Sequence, residues 1–363
     1  MTEHVNLPQA KPSDLGFNGE RLAAALNLAR RSEVNWPRDL HQALIDGVLD
    51  APPYNISMGP IEERGPANGL IMRRGQVAAT WGKPLRADFT FSVAKSYLAL
   101  LAGIAVGDGL IRDVHDSIAQ YATDDDFEAA QNRSITWHHL LQQTSEWEGT
   151  LFGLPDLVDR NRDVGSDGNN DKKGTHRDLQ APGEFWEYND VRVNRLSLSL
   201  LQLFKRPLAE VLSERIMQPL GASERWRWHG YYNAEVVVDG KSLRSVPGGS
   251  HWGGGLCIDS TDHARVGELV RLRGIVRGKA LLPEGWCERM FTPCPIKPDY
   301  GYLWWLNTDQ TLVPSVPSSS VFALGAGGNH IWIDTELELV VVARWLDSKK
   351  TNDVFGAILD SLA

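Results

Sequence analysis

Residues 90–111 read TFSVAKSYLALLAGIAVGDGLI. The stretch is apolar on every side of a helical wheel, which describes a helix buried all round rather than one lying on a surface. Yet its first turn carries Ser92 and Lys95. Three residues apart on a helix, the two side chains share a face, so the Lys95 amine reaches the Ser92 hydroxyl. A serine is a weak nucleophile until a neighbouring base takes its proton. Burial and the positive end of the helix dipole both disfavour a charged lysine, and Lys95 therefore reads as a neutral general base. The plainer alternative is a lysine that reaches solvent from a helix end, beside a serine that only caps the helix.

Outward from this helix, the two ends of the chain look alike and the middle does not. Before it, GLIMRRGQVAATWG (69–82) reads as two short strands around an Arg-Gly turn, and GERLAAALNLARRSE (19–33) as a helix. After residue 300, YGYLWWLNT, VFALGAGGNHIWID and ELELVVVARW read as three strands, followed by a C-terminal helix in TNDVFGAILDSLA. Between them the chain is mostly helical: SITWHHLLQQTSEWEG reads as one helix, and the run from Asp190 gives two more, parted near Arg206 and Pro207. The expected fold class is α/β (α+β), an antiparallel sheet flanked by helices and formed from both chain ends, with a mostly helical insertion. Residues 1–110 and 245–363 would form the α/β domain and 111–244 the helical one, with the active site in the cleft between them. RNRDVGSDGNNDKKGTHRDLQAPGE (160–184) is polar and Gly-rich, a long surface loop of the kind that serves as a lid or is disordered.

Composition narrows the function. The chain has 363 residues, 23% charged, with a net charge of -9, and an acidic surface argues against nucleic acid or anionic membrane as partner. No apolar run is long enough to span a bilayer. The N-terminus lacks a basic segment followed by an apolar one, so a cytoplasmic location is expected. Cys257, Cys287 and Cys294 are odd in number and lack metal-ligand spacing, and they read as free thiols. No Gly-x-Ser-x-Gly elbow, His-Glu-x-x-His or P-loop is present, and GAGGNH (325–330) does not fit a dinucleotide turn. Nothing calls for a metal or a cofactor.

Further motifs join the Ser92-x-x-Lys95 pair. APGEFWEYNDVRVN (181–194) offers Tyr188 at the start of a helix, ITWHHLLQQTSEWEG (135–149) contains a His-Leu-Leu-x-x-Thr-Ser segment, and HWGGGLCIDSTDHARVGELV (251–270) contains Gly-Gly-Leu-x-x-Ser-x-x-Asp-x-x-Arg. In this order the motifs resemble those of the serine β-lactamase and penicillin-binding protein superfamily. The Gly-rich third motif and GGSHWGGG (248–255) are most similar to the branch of 6-aminohexanoate-dimer hydrolases and family VIII carboxylesterases. The resemblance implies Ser92 as nucleophile, Lys95 as its base and Tyr188 as the proton shuttle to the leaving group, the last two titrating as one unit. It implies an oxyanion hole of the Ser92 and Ala326 backbone N–H groups.

Two positions depart from the family pattern. Asp190 stands where asparagine is usual, and a carboxylate only accepts hydrogen bonds, so it suits a donating substrate group such as an amine. Its structural alternative is a cap on the following helix. Ala323-Leu324-Gly325 replaces the Lys-Thr-Gly motif that holds a β-lactam carboxylate, while Gly325 and Gly327 leave room for substrate to approach the strand. Aromatic side chains, Trp252 foremost, are expected to wall an acyl pocket, and His251 and His330 to be structural. The reaction expected is hydrolysis of a small ester or amide through an acyl-enzyme. A β-lactamase or D-amino-acid peptidase and an inactive ligand-binding relative are the alternatives.

Overall fold

The computed structural model describes residues 6–164 and 169–362. Arg74 and Gly75 both take positive φ, 51° and 74°, the type I′ geometry whose twist matches that of paired strands. They join β1 (Asn68–Arg73) to β2 (Gln76–Trp81) as the expected hairpin. The other strands of this sheet come from the far end of the sequence: β3 (Trp305–Leu306), β4 (Val321–Gly325), β5 (Asn329–Asp334) and β6 (Leu339–Arg344). The order is β3-β4-β5-β6-β1-β2, with every pair antiparallel. Chain ends thus meet between β6 and β1, where Leu70 lies opposite Val342.

Both faces of the sheet are covered, which is why β6 reads as an unbroken apolar run rather than an alternating one. Leu70, Met72, Val340 and Val342 point to the face that packs on the central helix α2 (Val93–Gly107) and on α4 (Ser260–Arg271). Ile71, Val341 and Ala343 point to the other face, closed by α1 (Gly19–Arg31) and α5 (Thr351–Asp360). The first apolar cluster continues without a break into α3 (Asp190–Phe204), which packs on α2.

Three expected elements differ. YGYLWWLNT is a strand only over Trp305–Leu306. VFALGAGGNHIWID is not one strand but β4 and β5, because Gly327 and Gly328 at φ 74° and 72° reverse the chain. SITWHHLLQQTSEWEG is helical only over Trp137–Leu141; Gln143 and Glu146 then take φ of 59° and 48°, which no helix accommodates. The three cysteines are free and buried. Among the described residues no helix is long and apolar enough to cross a membrane.

Candidate active site

The turn into α2 is strained at the residue before Ser92. Phe91 has φ 49°, and its buried ring is wedged edge-on between Trp36 (5.9 Å) and Trp345 (6.0 Å). Such left-handed residues persist where their surroundings over-determine them. The end of β4 lies directly against this turn: a Cβ on Gly325 would sit 2.2 Å from Thr90 O and 3.3 Å from the Ser92 nitrogen, so only glycine fits. Lys95 Nζ, 1% exposed as a residue, donates to Ser92 Oγ at 2.7 Å and to Gly248 O at 3.3 Å. Gly248 is small for the same reason, since a Cβ there would sit 2.4 Å from Val193 Cγ1, and one on Gly249 would press on Asp190 Oδ2 at 3.0 Å.

Asp190 is the main correction to the sequence reading. The cap of α3 is Asn189, whose side chain accepts from Arg192 N at 3.2 Å. The Asp190 carboxylate instead meets Lys95 Nζ at 2.5 Å, with Arg162 Nη1 at 3.4 Å. Buried and already paired, it is not a receptor for a substrate amine, and Lys95 is not the lone buried amine that its sequence suggests. Burial by itself would raise the Asp190 carboxyl, but the charge of Lys95, with that of Arg162, outweighs it and holds the group well below the usual carboxylate range. The pattern continues outward. Arg162 faces Asp159 at 3.5 Å, and Lys173 bridges Asp159 (3.2 Å) and Asp50 (2.6 Å). Three carboxylates alternate with three cations along this buried array, and their charges cancel.

Tyr188 lies beside this array, its ring centroid 4.7 Å from Lys95 Nζ and 5.2 Å from the Arg162 guanidinium carbon. Gln143 brackets it. The Gln143 carbonyl accepts from Glu187 N at 3.0 Å and its side-chain Oε1 from Asn189 N at 2.9 Å, while its Nε2 donates to the Tyr300 hydroxyl at 2.7 Å. The left-handed Gln143 backbone is what turns both groups toward the same segment.

Ser92, Tyr188, Leu324, Gly325, Ala326 and Gly327 all line one cavity of about 750 Å³. Trp252, the expected pocket wall, is fully buried in the main core instead; the tryptophans on the cavity are Trp36 and Trp305. His251 and His330 do line it. Burial, then Arg162, pushes His251 down to about 3, and burial pushes His330 down to about 4, so both are neutral. Arg162 Nη2 donates to His251 Nε2 at 2.8 Å, which places the ring proton on Nδ1. From the polar loop, Arg162, Asn170, Lys173 and Gly174 reach the cavity; residues 165–168 of that loop lie outside the described residues. Asp50, Asp159 and His251 offer ligand atoms within 4.8 Å of one another, but the Lys173 ammonium already supplies the positive charge there.

Arg162 and Lys173 lie in the polar loop 160–184 and Gln143 in the segment 135–149, and no local spacing marks them. The family profile described as Beta-lactamase matches residues 67–354. The chain belongs to the β-lactamase family. It is a serine hydrolase of that family, with the mixed α/β fold expected of it. No curated protein matches it in sequence. Among solved structures, a candidate 6-aminohexanoate-dimer hydrolase from Bacillus anthracis is 17% identical over 99% of this chain and 86% of its own, with a TM-score of 0.58. EstCE1, a hydrolase with promiscuous acyltransferase activity, is 16% identical over 94% of this chain and 98% of its own, with a TM-score of 0.59. A penicillin-binding protein homologue from Caulobacter crescentus is 14% identical over 96% and 99%, at a TM-score of 0.60. At these identities the likeness is one of fold.

Proposed function

We propose that this serine hydrolase cleaves an uncharged ester or amide of a small substrate through an acyl-enzyme on Ser92. The observation that carries the reading is the 2.7 Å contact of Lys95 Nζ with Ser92 Oγ on a cavity that Tyr188 and the glycine-rich β4–β5 turn also line. Ser92 Oγ attacks the carbonyl carbon, and its proton passes to the coupled Lys95, Tyr188 and Asp190 set. The carbonyl oxygen becomes an oxyanion held by the Ser92 and Ala326 N–H groups. Collapse of the tetrahedral intermediate breaks the bond to the alcohol or amine, which leaves with a proton from the same set. Water then repeats the sequence on the acyl carbon and frees Ser92.

The carboxylates and cations lining the cavity, Asp50 and Asp163 with Arg162 and Lys173, balance in charge, which supports a neutral substrate. At the position where a β-lactam carboxylate would be held, β4 presents Ala323, buried, and Leu324, apolar and facing the cavity. Intact-protein mass after brief exposure to a short-chain p-nitrophenyl ester, and separately to a penicillin, tests the reading. The expected result is an acyl adduct and burst from the ester that Ser92→Ala abolishes, with turnover down by at least about 10⁴-fold. A lasting adduct from penicillin alone would move the protein to β-lactam recognition, and ester turnover that survives Ser92→Ala would sink the mechanism.

A further inference from the structure

The two N–H groups assigned to the oxyanion hole sit on segments far apart in sequence, the turn into α2 and the β4–β5 turn. One side chain reaches toward both. Arg344, at the end of β6 and 1% exposed, donates through Nη2 to Phe89 O (2.7 Å) and Asp88 O (3.1 Å), in the segment leading to Ser92. Its Nη1 donates to Ile258 O at 2.8 Å and its Nε to Asn329 Oδ1 at 2.6 Å. Asn329 in turn donates Nδ2 to Ala326 O at 2.7 Å. A continuous run of hydrogen bonds thus joins the approach to Ser92 with the residue that supplies the second N–H.

The chemistry of this run is specific. Among the described residues the hydrogen-bond partners of Arg344 are main-chain carbonyls and one amide. Burying a guanidinium without a hydrogen-bonded carboxylate is expensive, and a sheet of apolar strands does not need one for packing. A rigid fork of five donors does what an apolar side chain or a lysine cannot: it fixes several carbonyls at set distances and directions. Asn329 is equally constrained, because its amide must accept from Arg344 and donate to Ala326 at once.

We propose that Arg344, acting through Asn329, is the positioning residue of the oxyanion hole and sets the spacing between the Ser92 and Ala326 N–H groups. The inference rests on the hydrolase reading above. Misplacement of a group by about 1 Å can lower turnover by about 10²-fold, short of the loss of the donor itself.

Arg344→Lys and Asn329→Ala test it, with kcat and KM for a p-nitrophenyl ester measured per titrated active site, and with the affinity of a phenylboronic acid. Boron accepts the Ser92 oxygen to become a tetrahedral anion, the Ser92 proton passing to the Lys95 set, so the adduct loads the hole without turnover. Each variant is expected to lose about 10- to 100-fold in kcat with KM unchanged. Boronate affinity should fall in parallel and the pH profile keep its shape. The double variant should be no worse than the poorer single one, as expected for residues in one chain of contacts. Unchanged kcat and boronate affinity in folded variants would overturn the inference alone, as would a loss accompanied by a shifted pH profile. If Arg344→Lys does not fold, Asn329→Ala decides, because it leaves the bonds of Arg344 to Asp88, Phe89 and Ile258 in place. A wild-type protein that forms no Ser92 adduct would overturn the hydrolase reading, and this inference with it.

Discussion

Two buried basic side chains flank the turn that carries Ser92, and they are accommodated in opposite ways. Lys95 has a carboxylate 2.5 Å away and donates its remaining bonds to Ser92 Oγ and one carbonyl. Arg344 has carbonyls and an amide around its whole fork. Lys95 therefore has a hydroxyl oxygen and a counter-charge within reach of the same amine. An arginine cannot be deprotonated in a protein, and neutral partners give it nothing to exchange. In the proposed mechanism one cation belongs to the set that moves a proton and the other holds backbone still, and both the residue type and the neighbours of each make that division.

Lys95→Met should break the contrast most severely. It removes the amine from the set proposed to take the Ser92 proton, for an expected loss of about 10²- to 10⁴-fold in kcat/KM. It also leaves Asp190 without its nearest cation, with Arg162 at 3.4 Å and His251 Nε2 at 3.3 Å, so chemical denaturation should register a loss of about 3–5 kcal/mol. Adding Asp190→Asn should restore stability without restoring turnover; a Lys95→Met protein as stable as wild type would mean that the pair is not a unit. Asp190→Asn alone sharpens the comparison. Losing the counter-charge disfavours the protonated set, so the acid limb of the kcat/KM profile should move to lower pH by about one to three units. An unmoved limb, or one moved to higher pH, would remove Asp190 from the proton economy. The smallest effect concerns two imidazoles, His138 half-buried and His330 buried. Burial, with the neighbouring His115 and His139, pushes His138 from 6.5 down to about 4, and burial alone takes His330 to about 4. The unfolded chain therefore binds more protons than the folded one between those values, and stability should fall as pH drops from about 6.5 toward 4. Unfolding midpoints that stay flat from pH 7 to 4.5 would refute this.

How far the sequence could be read follows the reach of each interaction. The Ser92 and Lys95 contact is local, set by three residues of helix, and the β1–β2 hairpin is local to Arg74 and Gly75, so both were legible. Lys95 with Asp190, Gln143 with Asn189, and Arg344 with Phe89 join segments far apart in the chain, and no spacing announces them. Trp252 misled because its large ring suits a core and a pocket wall equally well. The one-strand reading of 321–334 failed because the two glycines that reverse the chain also resemble a site where a ligand approaches.

Strand β1 lies between β2, made at once, and β6, made some 270 residues later on the pairing of Asn68 with Arg344. While the chain is being synthesised, the serine and its lysine therefore emerge long before the strands that complete the cavity. In that interval β1 presents an open, apolar edge, the form of strand most prone to pair with another molecule. Closing so long a loop is slow compared with local folding. Catalytic competence and protection from aggregation should then arrive together, with the last fifth of the chain.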